Sequence, residues 1–285
     1  MSNLRMPAAF IGHGSPMNAI EVNRFTSGWR QVGRTIPRPQ AVLAISAHWL
    51  IKGSALTAMF RPRVIHDFYG FPRELSEFDY PAKGAPELAD AIVELVKPSF
   101  VGLDRDSWGL DHGTWSVLAH VFPDASVPVL QLSLHAEEAP AYHLELGRKL
   151  APLRDQGVFI MASGNVVHNL RRMNRAYVER AFGWAERFDA QVMRIMSERP
   201  GDLPEVVEHP DYPLAVPTTE HSLPLYYLAG LCDAAGEPAH AFLEGGAMGS
   251  LTMTSYGLGL GEIVSFGSGA GAEVPASVPP EQTNL

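Results

Sequence analysis

Short apolar runs rich in β-branched residues alternate with stretches of helical periodicity along most of this 285-residue chain. That alternation constrains the fold more than any other feature, because strands separated by helices build a sheet that the helices must cover. The predicted strands are Ala8 to Ile11, Ala41 to Ala47, Ala55 to Phe60, Val127 to Leu132, Val158 to Ala162 and Glu262 to Phe266. The predicted helices are Pro86 to Val96, Ala139 to Leu153, Gly183 to Met196 and Ser222 to Ala234. Leu88, Ile92 and Leu95 recur every three to four residues in the first helix, and Phe182, Ala185, Phe188, Val192 and Ile195 mark one face of the third. The length alone would accommodate two domains, but no linker-like break divides the chain, so one α/β domain is expected over residues 1–267. The Pro-rich passage from Pro200 to Pro217 reads as a long loop. Residues 268–285, rich in Gly, Ala, Ser and Pro, are expected to form a flexible tail.

Composition removes several function classes. With 46% apolar and 19% charged residues the chain can bury a sizeable core. A single cysteine, Cys232, excludes a disulfide scaffold, a thiolate zinc site and an iron–sulfur cluster. The net charge of −9 and the scattered arginines leave no basic stripe for phosphates, so nucleic acid is not an expected partner. No apolar run approaches 18 residues and the N-terminal apolar stretch is too short for a signal peptide, which predicts a cytoplasmic protein outside the membrane. There is no internal repeat and no phosphate-binding glycine fingerprint. Neither a Gly-x-Ser-x-Gly elbow nor a His-Glu-x-x-His helix occurs. Eleven histidines are what remains to carry chemistry.

A histidine chosen at random caps a helix, satisfies a buried group or sits on the surface. The setting of several here is more specific. Phe10-Ile11-Gly12-His13-Gly14-Ser15-Pro16 ends a β-run in a glycine-flanked imidazole, and Leu43-Ala44-Ile45-Ser46-Ala47-His48-Trp49 does the same. Two such strand ends would place two imidazoles on one rim, the beginning of a metal site. Phe159 to Ala162 runs into Ser163-Gly164-Asn165 with His168 after a short turn, so His168 is either a ligand or a general acid/base beside the metal. In Thr218-Thr219-Glu220-His221-Ser222 the neighbouring Glu220 and His221 point roughly 100° apart at a helix start, so one ligates while the other orients it or faces away. Asp111-His112-Gly113-Thr114-Trp115 is read as an aromatic-lined loop with His112 either at the substrate or packed in the core. His66-Asp67-Phe68-Tyr69-Gly70-Phe71-Pro72 is a second aromatic loop, suited to a flat ligand. His120, His135, His143, His209 and His240 have no such setting and are taken as structural or surface residues.

These six ordered motifs, spread from about residue 8 to residue 267, resemble those of the class III extradiol ring-cleavage dioxygenases, in the 4,5-DOPA dioxygenase branch of the LigB-like superfamily. The resemblance implies a single α/β domain with a mixed central sheet flanked by helices on both faces. It also implies one mononuclear non-haem metal ion, Fe(II) for turnover, with zinc an alternative occupant. By the same resemblance His13, His48 and His221 are the metal ligands, with His168 as acid/base and possible additional ligand, and His112 close to the substrate. Glu220 is the alternative ligand, or the group that orients His221, because the wider class completes its site with a Glu. His66, Phe68, Tyr69 and Trp115 would form the substrate pocket. The implied reaction joins a DOPA-like catechol and O₂ and opens the ring at the 4,5 position to a muconic semialdehyde, in a monomer or small homo-oligomer. Two rival classes remain at this point: a zinc-dependent hydrolase using the same histidines, and a non-enzymatic binding protein of the Memo type.

Overall fold

Strand and helix formation follow the apolar pattern closely at the centre of the chain. The protein is described here by a computed structural model covering residues 5–263, 270–275 and 278. Eight strands form the main sheet: β1 (Ala8–Gly12), β2 (Ala41–Ile51), β3 (Ala55–Thr57), β4 (Gly102–Asp104), β5 (Val129–His135), β6 (Val158–Gly164), β7 (His240–Leu243) and β8 (Ser255–Leu258). Their spatial order is β4-β3-β5-β2-β6-β1-β8-β7. The central strands β5, β2, β6 and β1 run parallel. The sheet becomes antiparallel where β3 meets β5 and where β8 meets β1 and β7, so it is mixed.

Alternation along the central strands divides the core in two. Phe10, Leu43, Ile45, Leu130, Leu132 and Ile160 pack with α2 (Pro86–Leu95), α4 (Pro140–Leu150), α5 (Gly183–Glu198) and α6 (Leu223–Ala235). Ala9, Ile11, Val42, Ala44, Phe159 and Met161 turn to the other face, against α1 (Arg24–Thr35) and α3 (His112–Val121). Both faces of the parallel strands are therefore buried, which is why these runs are apolar throughout rather than alternating with polar residues. Each large side chain fully buried here contributes about 1.5–3 kcal/mol relative to exposure.

Several expectations are corrected. The strand beginning at Ala55 stops at Thr57, and the 200–217 passage is not an open loop but carries a 3-10 helix, Pro200–Glu208, and a short helix, Tyr212–Ala215. The Asp111–Trp115 stretch is helical, because the Asp111 side chain accepts from the Thr114 amide and caps α3, placing His112 in its first turn. The C-terminal strand is Ser255–Leu258; Glu262 and Ile263 belong to no strand, and Val264 to Phe266 lie outside the described residues. Of the expected flexible tail, residues 270–275 and 278 are described, and there Ala272, Val274 and Val278 are buried. Polar atoms among the Gly, Ala and Pro of that stretch find partners on the rest of the chain, which composition does not reveal.

One buried carboxylate on α5 gives the fold a pH signature. Asp189 accepts from Thr252 Oγ1 at 2.9 Å and from Thr254 Oγ1 at 2.7 Å. Burial outweighs both hydrogen bonds and pushes its pKa up to about 6. In the unfolded chain an aspartate titrates near 4, so the stability this group allows is fully present below that pH and lost as pH rises through about 6. The loss amounts to about 3 kcal/mol. Asp189→Asn is accordingly expected to raise the urea midpoint at pH 8 and to leave it nearly unchanged at pH 4. An equal shift at both pH values would show that the carboxyl does not titrate in this way.

Candidate metal centre

The histidines converge on the rim formed by the carboxyl ends of β1, β2 and β6, where ligands bind in parallel sheets. His13 follows β1 directly. Gly14 beside it has φ +59°, and a Cβ on Gly12 would stand 2.6 Å from the Met253 backbone, so both glycines are needed for the turn and for the close approach of Met253. His48 is not at a strand end as expected but inside a longer β2. The β2–β5 register shifts between Ile45 and Leu50, and that irregularity takes His48 out of the regular ladder.

Hydrogen bonds assign the tautomer of each ring. Ser163 Oγ donates to the Gly113 carbonyl at 2.6 Å, which leaves it to accept the His13 Nδ1 proton at 2.9 Å. Asp67 lies 3.3 Å from His48 Nδ1 through Oδ2, and through Oδ1 it accepts from both His112 Nδ1, at 2.8 Å, and the His112 amide, at 3.2 Å. Glu220 Oε1 stands 3.4 Å from His221 Nδ1 and also accepts from Thr218 Oγ1. With the Nδ1 protons of His13 and His221 directed at oxygens and burial keeping both rings neutral, their Nε2 atoms carry lone pairs.

The rings gather closely. His13 Nε2 and His48 Nε2 are 3.1 Å apart. The Nε2 atoms of His112 and His221 are buried without hydrogen-bond partners among the described residues. Ring centroids are 3.9 Å apart for His48 and His112, 5.0 Å for His48 and His221 and 5.6 Å for His13 and His221. His168 stacks on His221 at 3.5 Å with the planes 6° apart. Burial, reinforced by neighbouring imidazoles, holds His13 and His48 well below the ordinary histidine range, and burial also lowers His221 against the pull of Glu220. The rings are therefore neutral, the form that binds a metal. Despite burial, the hydrogen bonds from His221 and Thr218 keep the Glu220 carboxyl below its usual value.

Two nitrogens each about 2.0–2.1 Å from a common ion stand about 3–3.4 Å apart at octahedral or tetrahedral angles. The His13–His48 separation fits that range. The donor set thus fits a metal. Among the described residues two groups of three side chains converge closely enough to hold one: His13, His48 and His112, and His168, Glu220 and His221. Their ring contacts make them parts of one histidine cluster. His112, expected at the substrate, stands nearer to His13 and His48 than that reading implied.

The aromatic residues divide. Phe68 presents its ring edge-on to His112 at 5.7 Å, and His66 packs on Phe68 while its Nε2 donates to the Phe78 carbonyl. Trp115 is fully buried behind them, stacked on Phe78 with Nε1 donating to the Ile65 carbonyl. Tyr69 is 75% exposed. Sequence reasoning passed over Asp67 and Ser163, which hold the imidazoles, and Asn18, whose Nδ2 donates to the His13 carbonyl at 2.9 Å. A lone carboxylate within an aromatic loop was the available signal for Asp67.

Comparison with known proteins places this centre in a family. Residues 7–255 match the family model described as the catalytic LigB subunit of aromatic ring-opening dioxygenase. The chain is 46% identical over 263 residues to 4,5-DOPA dioxygenase extradiol of Escherichia coli K12, an alignment covering 91% of this chain and 97% of that protein. It is 36% identical to the protein of the same name from Beta vulgaris, covering 86% and 96%. The crystal structure of an uncharacterized protein from Escherichia coli K12 superposes with a TM-score of 0.79 at 42% identity, covering 90% of this chain and all of that one. A mixed sheet with a histidine cluster at its parallel rim, matched over nearly the whole chain, defines an aromatic ring-opening dioxygenase. The chain belongs to the LigB family, among its extradiol members.

Proposed function

We propose that this chain opens the ring of a DOPA-like catechol at the 4,5 position with O₂, using one mononuclear Fe(II), and yields a muconic semialdehyde. The observation that carries the reading is the gathering of buried imidazoles, with Nε2 atoms of His13 and His48 3.1 Å apart, beside an aromatic wall. His13, His48 and His221 would hold the metal, and Glu220 would orient His221. Bound there, iron would supply a common site for both catechol oxygens and O₂ and a path for electrons between them. His168, stacked on His221, would accept a phenolic proton as substrate binds and return it as the ring opens. His112, fixed by Asp67, would accept a hydrogen bond from a substrate hydroxyl at its free Nε2. Phe68 would lie against the ring, and His66, pinned by the Phe78 carbonyl, would set the position of Phe68.

The test is to load the protein anaerobically with Fe(II), admit air with DOPA, and follow oxygen uptake together with the yellow ring-opened product. Equal consumption of O₂ and catechol is expected, and no turnover of any catechol at full iron loading would overturn the proposal. An all-nitrogen donor set also suits zinc. Hydrolysis by the zinc form without oxygen uptake would transfer the site to metal-activated water.

A further inference from the structure

Arg175 spends its guanidinium on backbone. Nη1 donates to the Val274 carbonyl, and Nη2 reaches those of Pro275 at 3.2 Å and Val278 at 3.4 Å. A planar group with five fixed donors can gather three carbonyls in this way, whereas an ammonium cannot match the fork. The carbonyls belong to residues in no helix or strand, so these bonds replace the ladder that would otherwise hold the segment.

The segment held by Arg175 touches both loops that border the histidine cluster. On one side the Ala272 amide donates to Asn18 Oδ1 at 2.9 Å, and the same Asn18 side chain donates to the His13 carbonyl. Ser15 Oγ, two residues past His13, reaches the Glu273 carbonyl at 3.4 Å. On the other side Val278 lies over Gly70, where an added Cβ would stand 3.0 Å from Val278 Cγ2; Gly70 has φ +80°, so a side chain there would be strained as well as crowded. Gly70 adjoins Phe71, whose ring packs on Phe68 at 5.2 Å, and Phe68 meets His112. Val274 and Val278 are each 1% exposed, so the segment is seated in the core and does not merely rest on the surface.

We propose that residues 270–275 and 278, joined through the Arg175 guanidinium, form a strut fixing the separation of the His13 loop and the aromatic loop 66–72, and that Arg175 is the positioning residue that holds it. On the function proposed above, the strut sets the width of the catechol pocket and so favours catechols by the size of the side chain they carry. Arg175 touches neither metal nor substrate in this account.

The experiment compares wild type with Arg175→Ala and Arg175→Lys by hydrogen exchange on the metal-loaded protein, then by steady-state kinetics with DOPA and with unsubstituted catechol. Arg175→Ala is expected to speed amide exchange about tenfold or more in both 12–18 and 66–72. It is expected to raise KM for DOPA about fivefold with kcat within about twofold, and to change KM for catechol less. Arg175→Lys is expected to show the same pattern at smaller amplitude, and serves if the alanine variant folds poorly. Faster exchange confined to 270–278, with both loops unchanged, would overturn the strut, as would a fall in kcat at constant KM. If wild type turns over no catechol, the exchange comparison still decides the strut, and the failure belongs to the proposed reaction.

Discussion

His48→Ala is expected to lose metal almost completely. Removing only a partner that orients a metal-bound histidine costs about 10–100-fold in affinity, and deleting the imidazole itself should cost more. The loss should be read by metal analysis after anaerobic loading and gel filtration, with circular dichroism to show that the fold survives. His13→Ala is expected to behave alike, since its Nε2 is 3.1 Å from that of His48. The informative pair is His221→Ala and His112→Ala. If His221 completes the set, its removal strips the metal while His112→Ala keeps it and weakens substrate binding. The opposite result would make His112, which groups with His13 and His48, the third ligand. Glu220→Ala should fall between, because His221 would keep its ring but lose the acceptor for its Nδ1 proton. Equal loss in Glu220→Ala and His221→Ala would mean that the carboxylate binds the ion itself.

His168→Ala is expected to keep its metal and lose about 10²–10⁴-fold in kcat, the range for removal of a positioned acid/base. The ring lies parallel to His221 at 3.5 Å, a stacked geometry that two ligands of one ion do not share easily. Its backbone is tied down independently of the ring, through the amide bond to the Ala215 carbonyl and a bridge to Leu251, so deleting the imidazole should not move the loop. Loss of metal together with activity would make His168 a ligand. Unchanged kcat would remove it from the proton pathway.

The convergence of the histidines was legible before any coordinates. An imidazole closing an apolar run has few reasons to be there, and parallel strands deliver such residues to one rim, as His13 shows; His48 reaches the same cluster from within β2, where the ladder is irregular. What could not be read is the part created only by long-range folding. The Asp67 loop reaches His48 and His112 from a distant stretch of chain, and nothing local marks that carboxylate as the clamp for two rings. Trp115 suits a pocket wall by its place near a polar pair, yet α3 is buried on nearly every side and the Trp115 ring packs on Phe78 within the core. Composition measures how much apolar surface a segment can bury by itself, and among the described residues of the tail Val274 and Val278 bury theirs in the rest of the molecule.

The rim separates two kinds of heritable change. On the proposed function the metal donors would come from the end of β1, from β2 and from the approach to α6, whereas the surfaces beside the substrate would come from residues 66–72 and the C-terminal segment. The two groups are nevertheless linked at two points, because Asp67 of the aromatic loop contacts His48 and His112, and the Ala272 amide holds the Asn18 side chain that donates to the His13 carbonyl. A lineage, or a directed library, that explores new aromatic substrates would then vary these two stretches around Asp67 and Ala272 while keeping those contacts.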